Sequence, residues 1–325
     1  MKLTIIGAGA MGSLLAFYLS ARAEVWLLDS WQTQVDAINA RGITCERDGH
    51  AETRPARATA DPAAIGGCDA ALVLVKAHQT PWAADMIRRS AAAATPGPHE
   101  YTGAAAPPLH FVVTLQNGLG NREVLAAALG EGRVGQGVTA LGATLLGPGR
   151  VRHAGQGLTV FGAHPNRAAA EALATLFAAC GLPSEVGDNL EALVWGKLVV
   201  NAGINALTAL LRVPNGALAE VPQARALLEA AVREAAGVAA ARGVRLPYDD
   251  PLAHTLAVVR ATAANRSSML QDVLRGSPTE VETINGAVAR EGERLGVPTP
   301  VNRTLAELVR ALEACASLEP WHSEA

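Results

Sequence analysis

The stretch LTIIGAGAMGSLLAFYL, Leu3 to Leu19, decides how the chain is read. LTII is short, apolar and β-branched, as a buried strand is, and SLLAFYL has the apolar density of a buried helix. Between them GAGAMG, Gly7 to Gly12, fits G-x-G-x-x-G. A strand that ends on this run and hands over to a helix is the context that makes the motif informative. Gly7 permits the tight turn, Gly9 lets the backbone approach a pyrophosphate, and Gly12 lets the helix pack closely on the sheet. The N–H groups of the helix start, around Ala10 and Met11, then face phosphates. The alternative is a glycine-rich turn in an α/β fold that binds nothing.

Moving outward, VWLL (25–28) reads as a second strand, and Asp29 ends it. An acidic residue about 20 positions after the glycines can accept hydrogen bonds from ribose hydroxyls and repel a 2′-phosphate. Asp29 therefore favours NAD over NADP, the alternative being that Asp29 caps a helix starting at Ser30 or Trp31. ALVLV (71–75) and FVVTL (111–115) are continuous apolar runs, expected of parallel strands covered on both faces. Lys76 and Asn117 follow these strands directly, where ligands sit in open α/β sheets. A solvated lysine and an Asn-Gly turn are their respective alternatives. Helical segments fall at 10–20, 31–41, 80–93 and 121–129, so β and α alternate as in a doubly wound parallel sheet. The glycine-punctuated run from Val134 to Gly162 reads as strands that extend or edge that sheet, with a helix at 167–180.

From about Asn189 strand signals vanish, and helices are expected near 189–211, 221–242, 250–264, 266–275, 278–295 and 302–315. The expected organisation is α/β: a Rossmann-like doubly wound domain over 1–187 and an all-α domain over 188–325. The Pro-, Gly- and Ala-rich segment 91–109 is too long for a tight αβ turn and reads as a surface insertion.

Composition excludes several classes. The chain has 325 residues, half of them hydrophobic, and a net charge of -3, with no basic block to engage nucleic acid. Cys45, Cys68, Cys180 and Cys315 are scattered, with no CxxC pair and no His cluster at ligand spacing, so neither a disulfide scaffold nor a metal site is expected. A reducing cytoplasm fits. Leu3 to Ala21 mimics an export signal, but Gly7, Gly9 and Gly12 interrupt it. No other stretch has the uninterrupted apolar length of a membrane helix.

The helical half carries one anomaly. LVWGKLVVNAGINALTALL (193–211) is a greasy helix, yet Lys197, Asn201 and Asn205 fall at i, i+4 and i+8 on one side of it. Burying them without partners is costly. A lysine can protonate a carbonyl oxygen as hydride arrives, and the amides can hold a substrate. The alternative is an interface helix whose amides pair within the protein. Downstream, NRSSMLQDVLRG (265–276) sets Asn265 and Ser268 on one helical face or across its first turn. Ser277, Pro278, Thr279 and Glu280 spell a capping box with proline at the first helical position, which alone would explain Glu280.

GAGAMG, LVLVKAHQT, TLQNGLGN, WGKLVVNAGINALTALLRVPNG, NRSSMLQDV and PTEVETING together resemble the ketopantoate reductase family over nearly the whole chain. The resemblance implies a Rossmann domain binding NADPH or NADH, a helical domain, and a small 2-keto acid held between them. It also permits a homodimer. By that resemblance Lys197 is the proton donor, and Glu280 orients it or bonds the substrate hydroxyl. Asn201, Asn205 and Asn265 hold lysine and substrate, while Ser268 bonds the carboxylate. Asn117 lies between nicotinamide and substrate, Lys76 contacts the cofactor, and Asn215 lies near the site. Two departures stand out: Asp29 replaces the basic residue usual in NADPH-using members, and 91–109 exceeds what the family needs there. A rival on the same scaffold is an NAD-dependent D-2-hydroxyacid dehydrogenase for other branched or aromatic 2-keto acids. A non-catalytic dinucleotide sensor is a more distant one.

Overall fold

A computed structural model describes residues 1–93 and 111–316, so most of the insertion at 91–109 lies outside the described residues. The strands are β1 (Lys2–Ile6), β2 (Glu24–Leu28), β3 (Ile43–Arg47), β4 (His50–Arg54), β5 (Arg57–Thr59), β6 (Ala70–Val73), β7 (Phe111–Thr114), β8 (Val134–Thr139), β9 (Gly142–Gly147), β10 (Arg150–Gly155), β11 (Thr159–Gly162) and β12 (Ser184–Gly187). The helices interleaved with them are α1 (Ala10–Leu19), α2 (Gln32–Arg41), α3 (Thr80–Ala93), α4 (Asn121–Leu129) and α5 (Arg167–Ala179). Two compact units result: residues 1–116 with 121–190, and residues 117–120 with 191–325.

The first unit is α/β. Its main sheet runs β12-β11-β8-β7-β6-β1-β2-β5, and β5 through β8 in that spatial order pair in parallel. Every residue of β6 and β7 is buried, which explains their unbroken apolar runs. β1 pairs with β2 on one side and β6 on the other, so the winding reverses there. Ile6 is level with both Leu28 and Val73. Gly7, Asp29 and Leu74 therefore stand side by side just beyond the carboxyl ends of three strands, the position at which doubly wound sheets bind ligands.

One expectation is corrected here. β8 and β11 do join the main sheet, but β9 and β10 fold off with β3 and β4 into a second sheet, ordered β4-β3-β10-β9. β3 and β4 form a hairpin whose turn residues Asp48 and Gly49 both have positive φ. The sequence hides this sheet because β4 is exposed along most of its length and shows no apolar alternation. Its link to β10 is also long-range, pairing Thr44 with Arg150.

The second unit is helical among the described residues: α6 (Leu190–Leu211), α7 (Ala217–Glu220), α8 (Pro222–Ala241), α9 (Pro251–Ala261), α10 (Ser268–Leu274), α11 (Asn285–Leu295) and α12 (Pro300–Cys315). α6 is its axis. Glu191 complements the dipole in the first turn. At the other end Arg212 turns left-handed (φ 54°) and the Val213 N–H reaches back to the Thr208 carbonyl at 3.3 Å, after which Pro214 cannot continue the helix. Trp195, Leu198, Val199, Ala202 and Ala206 pack into the core with Leu228, Val232 and Val288. Each large side chain buried in this way contributes about 1.5–3 kcal/mol. Among the described residues α6 alone is long and apolar enough to cross a membrane, and its apolar faces are occupied by this core.

Candidate active site

The glycine loop is shaped for close approach. Gly7 sits at φ +106°, and a Cβ there would lie 2.8 Å from the Val75 nitrogen, at the neighbouring strand end that leads to Lys76. A Cβ on Gly12 would overlap the Gly7 carbonyl oxygen, so helix and turn touch only because both lack side chains. Gly9 is different: a Cβ there meets nothing within 4 Å. The space over Gly9, beside the first-turn N–H groups at Ala10, Met11 and Gly12, suits a diphosphate. Asp29 is not a helix cap, because α2 begins at Gln32 with Trp31 before it. Its Oδ2 accepts the Ala8 N–H at 2.5 Å and its Oδ1 the Trp31 N–H at 2.9 Å. A carboxylate offers about four acceptor positions, so two remain for ribose hydroxyls. These residues fit a dinucleotide.

The second unit collects the polar residues of α6 with three more segments. The loop Asn117–Gly120 belongs to this unit, and the Leu119 N–H donates to the Thr283 carbonyl at 2.9 Å. Gly118 (φ +82°) lies against the Thr283 carbonyl, leaving no room for a side chain. This anchoring brings Asn117 to Glu280: Nδ2 donates to Oε2 at 3.2 Å. Glu280 is buried, at 6% exposure, and its charge acts on Lys197. Lys197 is partly accessible, yet burial of its ammonium pulls it down to about 8 from the usual 10.5, with Glu280 opposing the shift. Asn117, Glu280 and Lys197 are thus one cluster.

The capping-box reading of Glu280 is overturned. The expected helix over 278–295 begins only at Asn285, after a single 3-10 turn at Val281–Thr283. Glu313 takes the Thr279 N–H at 2.6 Å and the Thr279 hydroxyl takes the Val281 N–H at 3.3 Å. Those bonds hold the segment out of the helix, and Glu280 caps nothing with its side chain.

Asn201 and Asn205 make no side-chain hydrogen bond among the described residues, although Asn205 is only 5% exposed. Asn201 is half-buried, so both carboxamides lie along the sparsely exposed side of α6. Asn265 precedes α10 and Ser268 opens it; both are exposed. Ser267, not Ser268, is the cap: its Oγ accepts the Leu270 N–H at 3.1 Å and the Thr208 hydroxyl at 2.7 Å, tying the start of α10 to α6. The Asn215 N–H donates to the Asn265 carbonyl at 3.0 Å, which joins those two segments.

Several supporting residues escaped the sequence reading. Asn285, fully buried, donates to the Ala202 carbonyl and to Asn302 Oδ1, both at 2.9 Å, and so grips α6 beside Asn201. The Tyr248 hydroxyl donates to the Gly196 carbonyl at 2.8 Å, one residue before Lys197. Neither carries a local signal: an asparagine at a helix start and a tyrosine in a loop both read as solvated until their burial is known.

Comparison with known proteins places this geometry. Residues 3–166 match the family model described as ketopantoate reductase PanE/ApbA, and residues 189–313 match its C-terminal counterpart. The chain belongs to the ketopantoate reductase family. It is 37% identical over 315 residues to a 2-dehydropantoate 2-reductase of Halobacterium salinarum, spanning 95% of this chain and 98% of that one. Among solved structures, a PanE/ApbA family ketopantoate reductase from Ralstonia eutropha superimposes with a TM-score of 0.83 at 34% identity, over 97% of this chain and 99% of that one. A D-mandelate dehydrogenase solved with NADH and anilino(oxo)acetate gives 0.85 at 28% identity, with the same coverage. The family's defining blocks are thus present in both units.

Proposed function

We propose that this ketopantoate reductase family member reduces 2-dehydropantoate to pantoate with a nicotinamide dinucleotide, and that NADH is the preferred donor. The observation that carries the reading is the polar face of α6: Lys197 beside Glu280, with the Asn201 and Asn205 carboxamides unpaired on the same side. When bound, the reduced nicotinamide supplies the hydride. Lys197 gives its proton to the carbonyl oxygen as negative charge develops there, and solvent then restores it. Glu280 keeps the lysine charged enough to act, and Asn117 holds Glu280. Asn201, Asn205, Asn265 and Ser268 fix the carboxylate and hydroxyl of a small 2-keto acid, and such positioning supplies much of the rate. Gly7, Gly9, Ala10, Met11, Gly12, Asp29 and Lys76 hold the dinucleotide. A panel of 2-keto acids assayed with NADH and NADPH tests this, with kcat/KM highest for 2-dehydropantoate.

Asp29 and the likeness to D-mandelate dehydrogenase favour a second reading, an NAD-dependent D-2-hydroxyacid dehydrogenase. Preference for phenylglyoxylate or 2-ketoisovalerate in the same panel would select it.

Two variants probe the charges. Asp29→Asn keeps an oxygen acceptor but removes the repulsion of a 2′-phosphate. The NADPH-to-NADH ratio of kcat/KM should rise about tenfold; an unchanged ratio would remove Asp29 from cofactor choice. Glu280→Gln removes the carboxylate that raises the Lys197 pKa. The lysine should then deprotonate at lower pH, so the alkaline fall in reduction rate should begin below its wild-type position. A limb that stays put would separate Glu280 from the proton donor.

A further inference from the structure

We propose that Gln34 is a positioning residue for dinucleotide binding, and that through it the turn of the small second sheet braces the glycine loop. The proposal rests on the dinucleotide reading of that loop given above.

The two peptides that flank the Ala8 α-carbon, between Gly7 and Gly9, are both gripped. The Ala8 N–H is taken by Asp29 at 2.5 Å. The Ala8 carbonyl accepts two bonds, from Ser13 Oγ at 2.9 Å and from Gln34 Nε2 at 2.7 Å. Gln34 Nε2 also donates to Ser13 Oγ at 3.1 Å, and Gln34 Oε1 accepts the Gly149 N–H at 2.9 Å. Ala8, Ser13 and Gln34 are all 0% exposed. A glutamine side chain has two N–H donors and a carbonyl acceptor, and here all are spent. The Ser13 hydroxyl likewise gives its proton to Ala8 and accepts from Gln34.

Gly149 lies in the turn between β9 and β10, at φ +74°. Its carbonyl accepts the Thr44 N–H of β3 at 2.8 Å. A continuous chain therefore runs from β3 through Gly149 and Gln34 to the carbonyl of Ala8. Fixing the peptides on both sides of the Ala8 α-carbon sets the direction of Gly9 and of the first turn of α1. A buried amide with its hydrogen bonds made specifies one loop conformation, which lowers the cost of ordering the loop when a ligand binds. The small sheet is thereby more than an appendage to the main one.

The test measures the Kd for NAD⁺ by calorimetry, the melting temperature, and kcat at saturating dinucleotide. The proteins compared are wild type, Gln34→Leu and Ser13→Ala. Gln34→Leu should weaken NAD⁺ binding about tenfold and Ser13→Ala about threefold, with kcat at saturation within about twofold of wild type. A purely structural role would lower the melting temperature and leave Kd of the folded protein where it was. Folded Gln34→Leu that binds NAD⁺ as wild type does overturns the proposal. Should that variant not fold, unchanged binding by Ser13→Ala overturns it. Wild type that binds neither NAD⁺ nor NADP⁺ removes the dinucleotide reading and this proposal together. Normal binding in wild type and both variants removes this proposal alone.

Discussion

Lys197→Ala should lower kcat for 2-keto acid reduction by about a thousandfold while leaving the Kd for NADH within about twofold. The lysine contributes in two ways that alanine cannot replace. In the proposed mechanism its ammonium, beside Glu280, is the proton donor, and its positive charge stabilises the alkoxide in a site where burial strengthens such interactions. Alanine is a strong helix former, so α6 should keep its course, held by Tyr248 at Gly196 and Asn285 at Ala202. Dinucleotide binding should survive because the glycine loop belongs to the other unit. Stopped-flow reduction and fluorescence titration measure the two effects separately. Turnover near the wild-type value would take the proton-donor role away from Lys197.

The second large effect comes from two glycines of one motif that should fail in different ways. Gly9→Ala places a methyl group where no protein atom lies within 4 Å, and its backbone (φ -68°, ψ -161°) is open to alanine. The melting temperature should barely move, whereas NADH binding should weaken about a hundredfold, because the methyl occupies the diphosphate's approach. Gly12→Ala forces its Cβ onto the Gly7 carbonyl oxygen, so the first turn of α1 must separate from the loop. That variant should lose several degrees of melting temperature as well as binding. Calorimetry and thermal melts distinguish the two. If Gly9→Ala binds NADH normally, the space above Gly9 does not hold the diphosphate.

Much of this was legible in the sequence, for identifiable reasons. β1, β6 and β7 announce themselves because strands buried on both faces must be apolar throughout. The stripe Lys197–Asn201–Asn205 is visible because helical spacing is rigid. The small sheet was not legible. β4 is exposed, β9 begins and ends in glycine, and β3 meets β10 only through chain-distant pairing that local patterns do not encode. The capping-box alternative for Glu280 fails for a related reason. Ser-Pro-Thr-Glu is a sound local capping signal, but Glu313, far along the chain, captures the Thr279 N–H and holds the segment out of the helix. Gln34 and Asn285 lay unnoticed because a polar residue on a helix reads as solvated until its burial is known.

The most direct measurement is kcat/KM for 2-dehydropantoate reduction by the wild-type protein with NADH, taken across pH. The donor must be protonated to act, and burial pulls the Lys197 ammonium down to about 8. The rate should therefore hold steady below that pH and fall tenfold per unit well above it. No NADH oxidation with this substrate, or a rate that is flat or rising through that range, would contradict the account.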